Sequence, residues 1–334
     1  MIETARTSPT MKAIQIAQHG GPDVLHLTEI DRPVAASGQA LVRVRAAGVN
    51  FVDIYVREGR NSYGVPLPHV LGQEGAGVIE AVGTNVKGFH VGDTVAWCMS
   101  AGGYAEYAVV PENKLVHVPP AVPLEQAAAI LLQGMTAQYL IRSTFPLQSD
   151  DTALLHAGAG GVGLLLIQMA SQMGAHIIAT VSTPEKAELA RAAGARDVIL
   201  YTQEEFEPAV QRITSGRGVD VVYDSVGKTT FDDSLKCLRP RGMMVLFGAS
   251  SGPVPPIDPV LLSTSGSVYL TRPSLAHYLR TREELDERSS DIFQRVERGT
   301  LQVRIHGAYS LADAAVAQQE LQSRKTTGKL LLIP

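Results

Sequence analysis

The chain has few cysteines, few aromatic residues and little net charge, and each scarcity excludes a class of protein. Only two cysteines, Cys98 and Cys237, occur among 334 residues. A disulfide framework is therefore excluded, as is a structural zinc site that needs three or four thiolates. Aromatic residues make up 5% of the chain, which argues against a broad platform for stacking single-stranded nucleic acid. The formal net charge of -4 argues against a dedicated binder of polyanions, so no nucleic-acid partner is expected.

Long apolar runs are also missing. No run approaches the roughly 18 residues that a membrane-spanning helix needs, so no membrane partner is expected. Residues 1–10 lack the apolar stretch of a signal peptide and are predicted to form a flexible tail, with ordered structure beginning near Lys12. We therefore expect a cytoplasmic protein, and its length of 334 residues favours two domains.

The first third of the chain has the pattern of a β-rich domain. Glycine and proline divide it into short strand-like runs, at residues 40–46, 77–82, 93–97 and 104–110. No helical period is visible between these glycines and prolines, which predicts a compact, barrel-like β domain.

From about Pro123 the pattern changes to a regular alternation. After a helix over 124–142, apolar strands are predicted at 152–156, 176–181, 198–201, 219–224, 243–247 and 268–271. Helices are predicted between the first five of them, at 161–173, 185–193, 204–214 and 230–238. Apolar strands that alternate with helices predict a parallel sheet covered on both faces, which makes the fold class α/β.

The tail predicts a helix over 283–297, a strand over 303–305, a helix over 311–323 and a final strand over 330–333. That last strand has no place in the completed parallel sheet, so we assign it to the first domain. The expected domains are a discontinuous catalytic domain, residues 11–133 and 275–334, and an inserted dinucleotide-binding domain, residues 134–274.

The strongest local motif is Gly158-Ala159-Gly160-Gly161-Val162-Gly163, which satisfies G-x-G-x-x-G. It directly follows a predicted strand and opens a predicted helix, the context that makes this pattern specific. The glycines allow a tight turn and a close approach to a pyrophosphate, and the helix start offers unpaired N–H groups. The motif therefore predicts a dinucleotide site.

The end of the second strand indicates which dinucleotide. Chains that prefer NAD usually place an acidic residue there, to bind the ribose 2′-hydroxyl. This chain has Thr180-Val181-Ser182-Thr183, followed by Lys186. Hydroxyls and an ammonium would stabilise a 2′-phosphate, so NADPH is the expected cofactor. Glu185 is interpreted as a residue of the first helical turn, where its negative charge interacts favourably with the helix dipole.

With these features in place, the chain resembles the medium-chain dehydrogenase/reductase superfamily, and within it the quinone oxidoreductase (zeta-crystallin-like) family. The resemblance covers residues 11–334. Besides the glycine turn it rests on residues 19–22 (HGGP), 48–53 (GVNFVD), 72–77 (GQEGAG), 223–227 (YDSVG), 271–275 (TRPSL) and 331–334 (LLIP). It implies a GroES-like catalytic domain, a Rossmann domain, NADPH:quinone reductase activity and a homodimer. The dimer would pair two Rossmann domains through the edge strand at residues 267–272.

The resemblance also implies that the protein works without a metal. Zinc alcohol dehydrogenases of the superfamily carry a cysteine where this chain has Asn50 and a histidine where it has Gln73. Without a Lewis acid, the acceptor itself must disperse the charge left by hydride transfer. A quinone does so as a hydroquinone anion, and an enone does so as an enolate. An NADPH-dependent enone or alkenal reductase is therefore the main alternative, and an NADPH-binding crystallin-like or RNA-binding protein is another.

By the same resemblance, Asn50 and Tyr55 lie near the nicotinamide and the acceptor. Asn50 would hydrogen-bond the cofactor or a quinone oxygen, and Tyr55 would orient or protonate the acceptor. The cofactor-binding residues implied by the family pattern are Phe51, Thr136, Tyr139, Gly160, Gly161, Val162, Ser182, Lys186, Tyr201, Ser225, Phe247, Gly248, Ser250, Leu275 and Arg324.

Overall fold

The structure is a computed structural model that describes residues 9–60 and 63–334. Residues 1–8, most of the predicted tail, lie outside the described residues. The first described strand already begins at Thr10, two residues before the expected start. Among the described residues, no helix is both long and apolar enough to cross a membrane.

The strands of the described chain, in order, are β1 (Thr10–Ile16), β2 (His26–Asp31), β3 (Gln39–Val49), β4 (His69–Val70), β5 (Glu74–Val82), β6 (Thr94–Cys98), β7 (Tyr107–Pro111), β8 (Leu115–His117), β9 (Thr152–Leu155), β10 (His176–Val181), β11 (Asp197–Leu200), β12 (Val219–Asp224), β13 (Leu238–Leu246), β14 (Tyr269–Thr271), β15 (Ile305–Ser310) and β16 (Lys329–Ile333). The helices are α1 (Phe51–Arg57), α2 (Leu124–Tyr139), α3 (Gly161–Gln172), α4 (Pro184–Ala193), α5 (Phe206–Ile213), α6 (Phe231–Cys237), α7 (Val260–Thr264), α8 (Arg282–Glu297) and α9 (Ala314–Gln322). A π-helical turn over Leu140–Thr144 continues α2.

The chain divides into two compact units. The first comprises Met1–Leu132, Leu285–Arg298 and Ile305–Pro334, and the second comprises Gln133–Glu284 and Gly299–Arg304. The first unit holds a seven-stranded sheet of order β15-β16-β3-β5-β6-β8, in which β7 also pairs with β3, and a three-stranded sheet of order β2-β1-β4. The apolar faces of these strands form its core, with Trp97 and Tyr104 among the largest fully buried side chains.

The last strand joins the first unit. β16 pairs antiparallel with β3, with Leu330 opposite Val49 and Leu332 opposite Ala47. This pairing places the final apolar run in a sheet of the first unit. The run is short and apolar because it lies in the middle of a sheet, between β15 and β3.

The β-rich first third also contains a short helix that was not predicted, α1, which follows β3 directly. Its N-terminus is organised by Asp53, whose Oδ2 accepts a hydrogen bond from the Asn50 N–H at 2.8 Å. Two turns are too short for an apolar period to show. The run from Asp53 to Arg57 is moreover buried throughout, so this helix has no polar face that would mark it in the sequence.

The second unit is built on a six-stranded parallel sheet of order β11-β10-β9-β12-β13-β14. From β9 the strands follow one another outward through β10 and β11 to one edge, and from β12 they follow one another through β13 and β14 to the other edge. The direction therefore reverses between β9 and β12, as in the doubly wound dinucleotide-binding fold. The predicted α/β class, its strands and the helices between them are confirmed, with bounds that shift by a few residues at most. The glycine turn lies between β9 and α3, on the carboxyl side of the central strand.

The limits of the units differ from the predicted domain limits at residues 275–284 and 299–304. Tyr278 stacks on Tyr139 with ring centroids 4.2 Å apart, and its hydroxyl accepts from Thr144 Oγ1 at 3.0 Å. The carbonyl of Gln302 accepts from Gln168 Nε2 at 3.0 Å. These contacts place both stretches with the second unit, and the functional domain limits stay a prediction.

Candidate functional site

The glycine turn brings α3 unusually close to the parallel sheet. Gly160 is the N-cap of α3, so the N–H groups of the first helical turn face away from the helix. A Cβ on Gly163 would lie 2.4 Å from the carbonyl oxygen of Ala157, and one on Gly158 would lie 2.8 Å from the Cβ of Ala179. Only glycine therefore allows this approach of helix to sheet, and the resulting cradle fits the pyrophosphate of a dinucleotide.

Gln133 reaches the start of α3 from α2. A Cβ on Gly161 would lie 2.0 Å from Gln133 Oε1, so the amide packs directly on the glycine. Within residues 9–60 and 63–334, the buried Gln133 Oε1 has no hydrogen-bond partner. The sequence analysis did not identify Gln133, because it precedes the glycine motif by 25 residues and belongs to no motif itself.

Ser182, Lys186 and Tyr201 lie together where β10 and β11 end. Thr183 caps α4 by accepting from the Lys186 N–H at 3.3 Å. The Tyr201 N–H donates to the Val181 carbonyl at 3.1 Å, which places the exposed tyrosine beside Ser182. Partial burial lowers the pKa of the Lys186 ammonium, as expected for a cation that is poorly hydrated.

Glu185, the acidic residue of this corner, lies in the first turn of α4. Hydrogen bonds to its own N–H and to Thr183 lower the pKa of its carboxyl group. The carboxylate therefore faces the N-terminus of α4, as expected for an acidic residue in a first helical turn.

Ser225, Phe247, Gly248 and Ser250 lie together at the ends of β12 and β13. The Ser250 N–H donates to the Ser225 carbonyl at 3.1 Å. A Cβ on Gly248 would lie 2.5 Å from that same carbonyl oxygen, so the two strand ends touch. The turn is held by Asp224 Oδ1, which accepts from the N–H groups of residues 226 and 227 at 2.6 Å and 3.0 Å.

Other predicted cofactor residues are distributed over both units. Thr136, Tyr139 and Leu275 belong to the second unit, as do Gly160, Gly161 and Val162. Tyr139 is stacked on Tyr278, which shares a short 3-10 turn with Leu275. Asn50, Phe51, Tyr55 and Arg324 belong to the first unit. Arg324 is exposed and adopts a left-handed conformation, with φ of 58°, just after α9.

Asn50 is part of a buried polar network in the first unit. Lys329 Nζ donates to Asn50 Oδ1 at 2.7 Å and to Glu74 Oε2 at 2.5 Å. Asn50 Nδ2 in turn donates to Glu74 Oε2 at 2.9 Å and to the Gly48 carbonyl at 3.2 Å. The side chains of Lys329 and Glu74 are both 0% exposed. Lys329 was not among the predicted site residues, because in the sequence it is a single lysine before an apolar run.

Asp53 forms the second half of this network. Its carboxylate accepts from Tyr104 OH at 2.9 Å, from the Gln73 N–H at 2.9 Å and from the Asn50 N–H. Complete burial raises its pKa from 3.8 to about 6, although these donors and the charge of Lys329 oppose the shift. Burial has the larger effect because it penalises the ionised form.

Tyr55 lies in a cluster of rings beside this network. Its ring centroid is 5.4 Å from that of Tyr63 and 6.3 Å from that of Phe51. The guanidinium of Arg60 lies 5.0 Å from the Tyr55 centroid and is paired with Glu58. Flat aromatic surface beside a cation suits a planar, electron-poor ligand.

Comparison with known proteins identifies the class. Residues 36–120 match the family model "Alcohol dehydrogenase GroES-like domain", and residues 161–294 match "Zinc-binding dehydrogenase". A two-unit chain of this kind is a medium-chain dehydrogenase/reductase.

Relatives of almost the same length identify the family. The chain is 46% identical to a quinone oxidoreductase of Pseudomonas aeruginosa, over 97% of this chain and 99% of the relative. The crystal structure of Escherichia coli quinone oxidoreductase complexed with NADPH is 43% identical, with a TM-score of 0.94 over 97% of this chain and 100% of that one. A 2-haloacrylate reductase of Burkholderia is 41% identical, over 96% and 98% of the two chains. The chain belongs to the quinone oxidoreductase family.

The name of the second family model implies zinc, but the donor set does not fit it. Asn50 and Glu74 already bind the ammonium of Lys329, and a neutral amide is a poor ligand for zinc beside that cation. Among residues 9–60 and 63–334, no group of three or more His, Cys, Asp or Glu side chains is placed to hold a metal ion.

The raised pKa of Asp53 makes the stability of the first unit depend on pH. Its pKa is about 6 in the folded state and 3.8 ordinarily, so the folded state holds the proton more tightly. The resulting stabilisation is complete below about pH 4 and is lost as the pH rises through 6. Relative to Asp53→Asn, the free energy of unfolding of the native protein should fall by about 3 kcal/mol over this interval.

Urea unfolding at a series of pH values measures this difference. The fluorescence of the single tryptophan, Trp97, reports on the first unit, which also contains Asp53. Asp197→Asn is a suitable control, since Asp197 lies in the second unit. A difference between native protein and Asp53→Asn that stays constant or grows with pH would contradict the shift.

Proposed function

We propose that this protein is a zinc-independent, NADPH-dependent quinone reductase. The observation that carries the proposal is the near-complete coverage of quinone oxidoreductases by this chain, including one solved with NADPH. The second unit supplies matching chemistry, because its strand ends offer a glycine cradle and a corner with Ser182 and Lys186. The proposed substrate is a small-molecule quinone.

The glycine turn would bind the pyrophosphate of NADPH at the start of α3, and Ser182, Lys186 and Tyr201 would bind the 2′-phosphate. The other predicted cofactor residues, including Phe51 and Arg324, are further proposed contacts of the dinucleotide. When bound, the reduced nicotinamide supplies the hydride. Gln133, with its unused acceptor beside Gly161, is a further candidate contact.

The chemistry of the acceptor side would rest on positioning. A quinone disperses the developing negative charge over its own ring as it becomes a hydroquinone anion, so no Lewis acid is required. We propose that Tyr55 orients or protonates the acceptor. The cluster of Tyr55 with Phe51 and Tyr63 supports an orienting role, because packing holds the largely buried ring of Tyr55, 7% exposed, in one orientation.

The rate of NADPH oxidation by purified protein tests the reaction. Turnover with 1,4-benzoquinone or 9,10-phenanthrenequinone is expected to exceed turnover with a panel of enals and a 2-haloacrylate. The rate with NADPH as the hydride donor is expected to exceed the rate with NADH. Faster turnover of the activated alkenes would contradict the proposal and assign the protein to the double-bond reductases. Binding of NADPH without consumption by any acceptor would instead favour a binding protein.

Lys186 should determine the preference for NADPH. Lys186→Ala is expected to weaken NADPH binding about tenfold to a hundredfold while NADH binding barely changes, since a charge-assisted hydrogen bond contributes roughly 1.5–3 kcal/mol. Fluorescence titration with both cofactors measures the two dissociation constants. Lys236→Ala, at an exposed lysine of the same unit, is the matched control. Equal losses for NADPH and NADH would refute the assignment.

A homodimer is the proposed assembly. β14 is the edge strand of the six-stranded sheet, and its Tyr269 is 60% exposed. An unpaired edge with an exposed ring favours pairing with a second copy. Light scattering should give a molar mass of about twice 35.6 kDa, and Tyr269→Lys should reduce this mass. A native protein with the mass of one chain would contradict this assembly.

A cytoplasmic location is also proposed. Cys98 and Cys237 are both buried free thiols, which supports it.

A further inference from the structure

Arg60 is held beside the ring of Tyr55 by side-chain and backbone contacts. The carbon of its guanidinium lies 5.0 Å from the centroid of the Tyr55 ring, and its Nε donates to Glu58 Oε2. The Arg60 N–H donates to the Tyr55 carbonyl at 3.0 Å, and the Arg60 carbonyl accepts from the Tyr63 N–H at 2.8 Å. The guanidinium is therefore fixed next to the residue that the proposed function assigns to the acceptor.

Glu58, the partner of Arg60, is itself held by buried groups. Its second carboxylate oxygen, Oε1, accepts from Arg57 Nη2 at 3.0 Å and from Gln322 Nε2 at 3.0 Å. The Arg57 side chain is 0% exposed, and its Nη1 donates to Gln318 Oε1 at 2.7 Å. Glu58 therefore cannot move with Arg60 away from the ring without breaking a hydrogen bond to a buried charge.

The charges of this cluster do not cancel. The guanidiniums of Arg57 and Arg60 share the single carboxylate of Glu58, which leaves one net positive charge. Burial lowers the pKa of the Arg57 guanidinium, and the positive charge of Arg60 acts in the same direction, as expected for two close cations. The side chain of Arg57 is enclosed, whereas that of Arg60 is 34% exposed. A ligand can therefore reach the excess charge at Arg60.

Arg60 also retains hydrogen-bond donors for a ligand. A guanidinium has five N–H groups in a planar fork, and Glu58 accepts from the one on Nε. Within residues 9–60 and 63–334, no group accepts a hydrogen bond from Nη1 or Nη2 of Arg60. These two nitrogens match the oxygens of a carboxylate or a sulfonate, and an anionic acceptor makes such bonds roughly twice as strong as a neutral one does.

We propose that Arg60 is a specificity-determining residue, which makes this reductase prefer quinones that carry a carboxylate or sulfonate group on the ring. Nη1 and Nη2 bind the anionic group, and Tyr55 beside them orients the quinone itself. An unsubstituted quinone gains less from the same guanidinium, because its carbonyl oxygens carry no net charge. This inference rests on the proposed function and specifies the class of its substrate.

The selectivity is measured with 9,10-phenanthrenequinone and 9,10-phenanthrenequinone-2-carboxylate at saturating NADPH. Arg60→Gln should raise the KM for the carboxylate about tenfold, through the loss of a charge-assisted contact, and should raise the KM for the unsubstituted quinone clearly less. Each acceptor is compared with itself between native protein and variant, so the intrinsic reactivities of the two quinones cancel.

Arg43→Gln is the matched control, since Arg43 is also a partly exposed arginine that pairs with a glutamate in the first unit. This variant should leave both KM values as they are in the native protein. If Arg60→Gln instead changed the two KM values equally, or changed neither, the proposal would be overturned. A purely structural role of Arg60 would give the equal change, because a displaced Tyr55 affects both acceptors.

Phenanthrene-2-carboxylate and phenanthrene-2-carboxamide, which are not quinones, test binding without turnover. They have nearly the same shape and differ in charge. Calorimetric titration should give a lower dissociation constant for the carboxylate with native protein, and nearly equal constants with Arg60→Gln. Added NaCl should reduce the advantage of the carboxylate, because the ion pair is partly exposed. A carboxylate that binds native protein no better than the carboxamide would refute the role of Arg60.

Arg60→Lys decides the question if circular dichroism shows that Arg60→Gln does not fold. Lysine keeps the charge but lacks the planar fork, so the KM should rise more for the carboxylate than for the unsubstituted quinone, and an equal effect on both would overturn the paired contact. Native protein that reduces neither quinone with NADPH would refute the proposed function itself. Native turnover of both quinones, without a carboxylate-specific effect of the Arg60 variants, refutes only the role of Arg60.

Discussion

The stability of the first unit depends on the buried ion pair between Lys329 and Glu74. Burying one charge without a partner costs several kcal/mol, and removing one member of a buried pair is strongly destabilising. The two residues come from opposite ends of the chain, on β16 and β5. Pairing of β16 with β3 therefore also neutralises Glu74 inside the sheet. The discontinuity of this domain has a physical basis, since its amino-terminal part contains a buried carboxylate that only the carboxyl-terminal strand neutralises.

The same ion pair connects stability with the candidate site. Asn50 lies between β3 and α1, and its amide is bonded by both members of the pair. Asp53 then links the start of α1 to Tyr104 and to the backbone of Gln73. Since every oxygen and nitrogen of Asn50's amide is engaged at least once, the residue is oriented before any ligand binds. Such preorganisation lowers the cost of binding, because little side-chain freedom remains to be lost.

The parts of the fold that could be predicted from the sequence are those coded locally. The parallel sheet followed from apolar runs at regular intervals, and the cofactor corner followed from consecutive residues after β10. The position of β16 was predicted because no other sheet had room for it. The Lys329–Glu74–Asn50 network could not be predicted in this way, since 255 residues separate the members of its ion pair. The contact of Gln133 with Gly161 was missed for the same reason, and α1 was missed because it is short and buried on all sides.

This difference between local and distant coding explains why the cofactor was easier to identify than the substrate. The prediction of a 2′-phosphate site rests on Ser182 and Lys186, which follow the end of a single strand. The proposed acceptor side involves Tyr55, in a helix that could not be predicted, and the side chains of Arg60 and Tyr63 lie near its ring. These two residues supply the cation and the second ring beside Tyr55. The glycine turn and the hydride donor serve a quinone and an activated alkene equally, so the local motifs that identify the cofactor do not identify the acceptor.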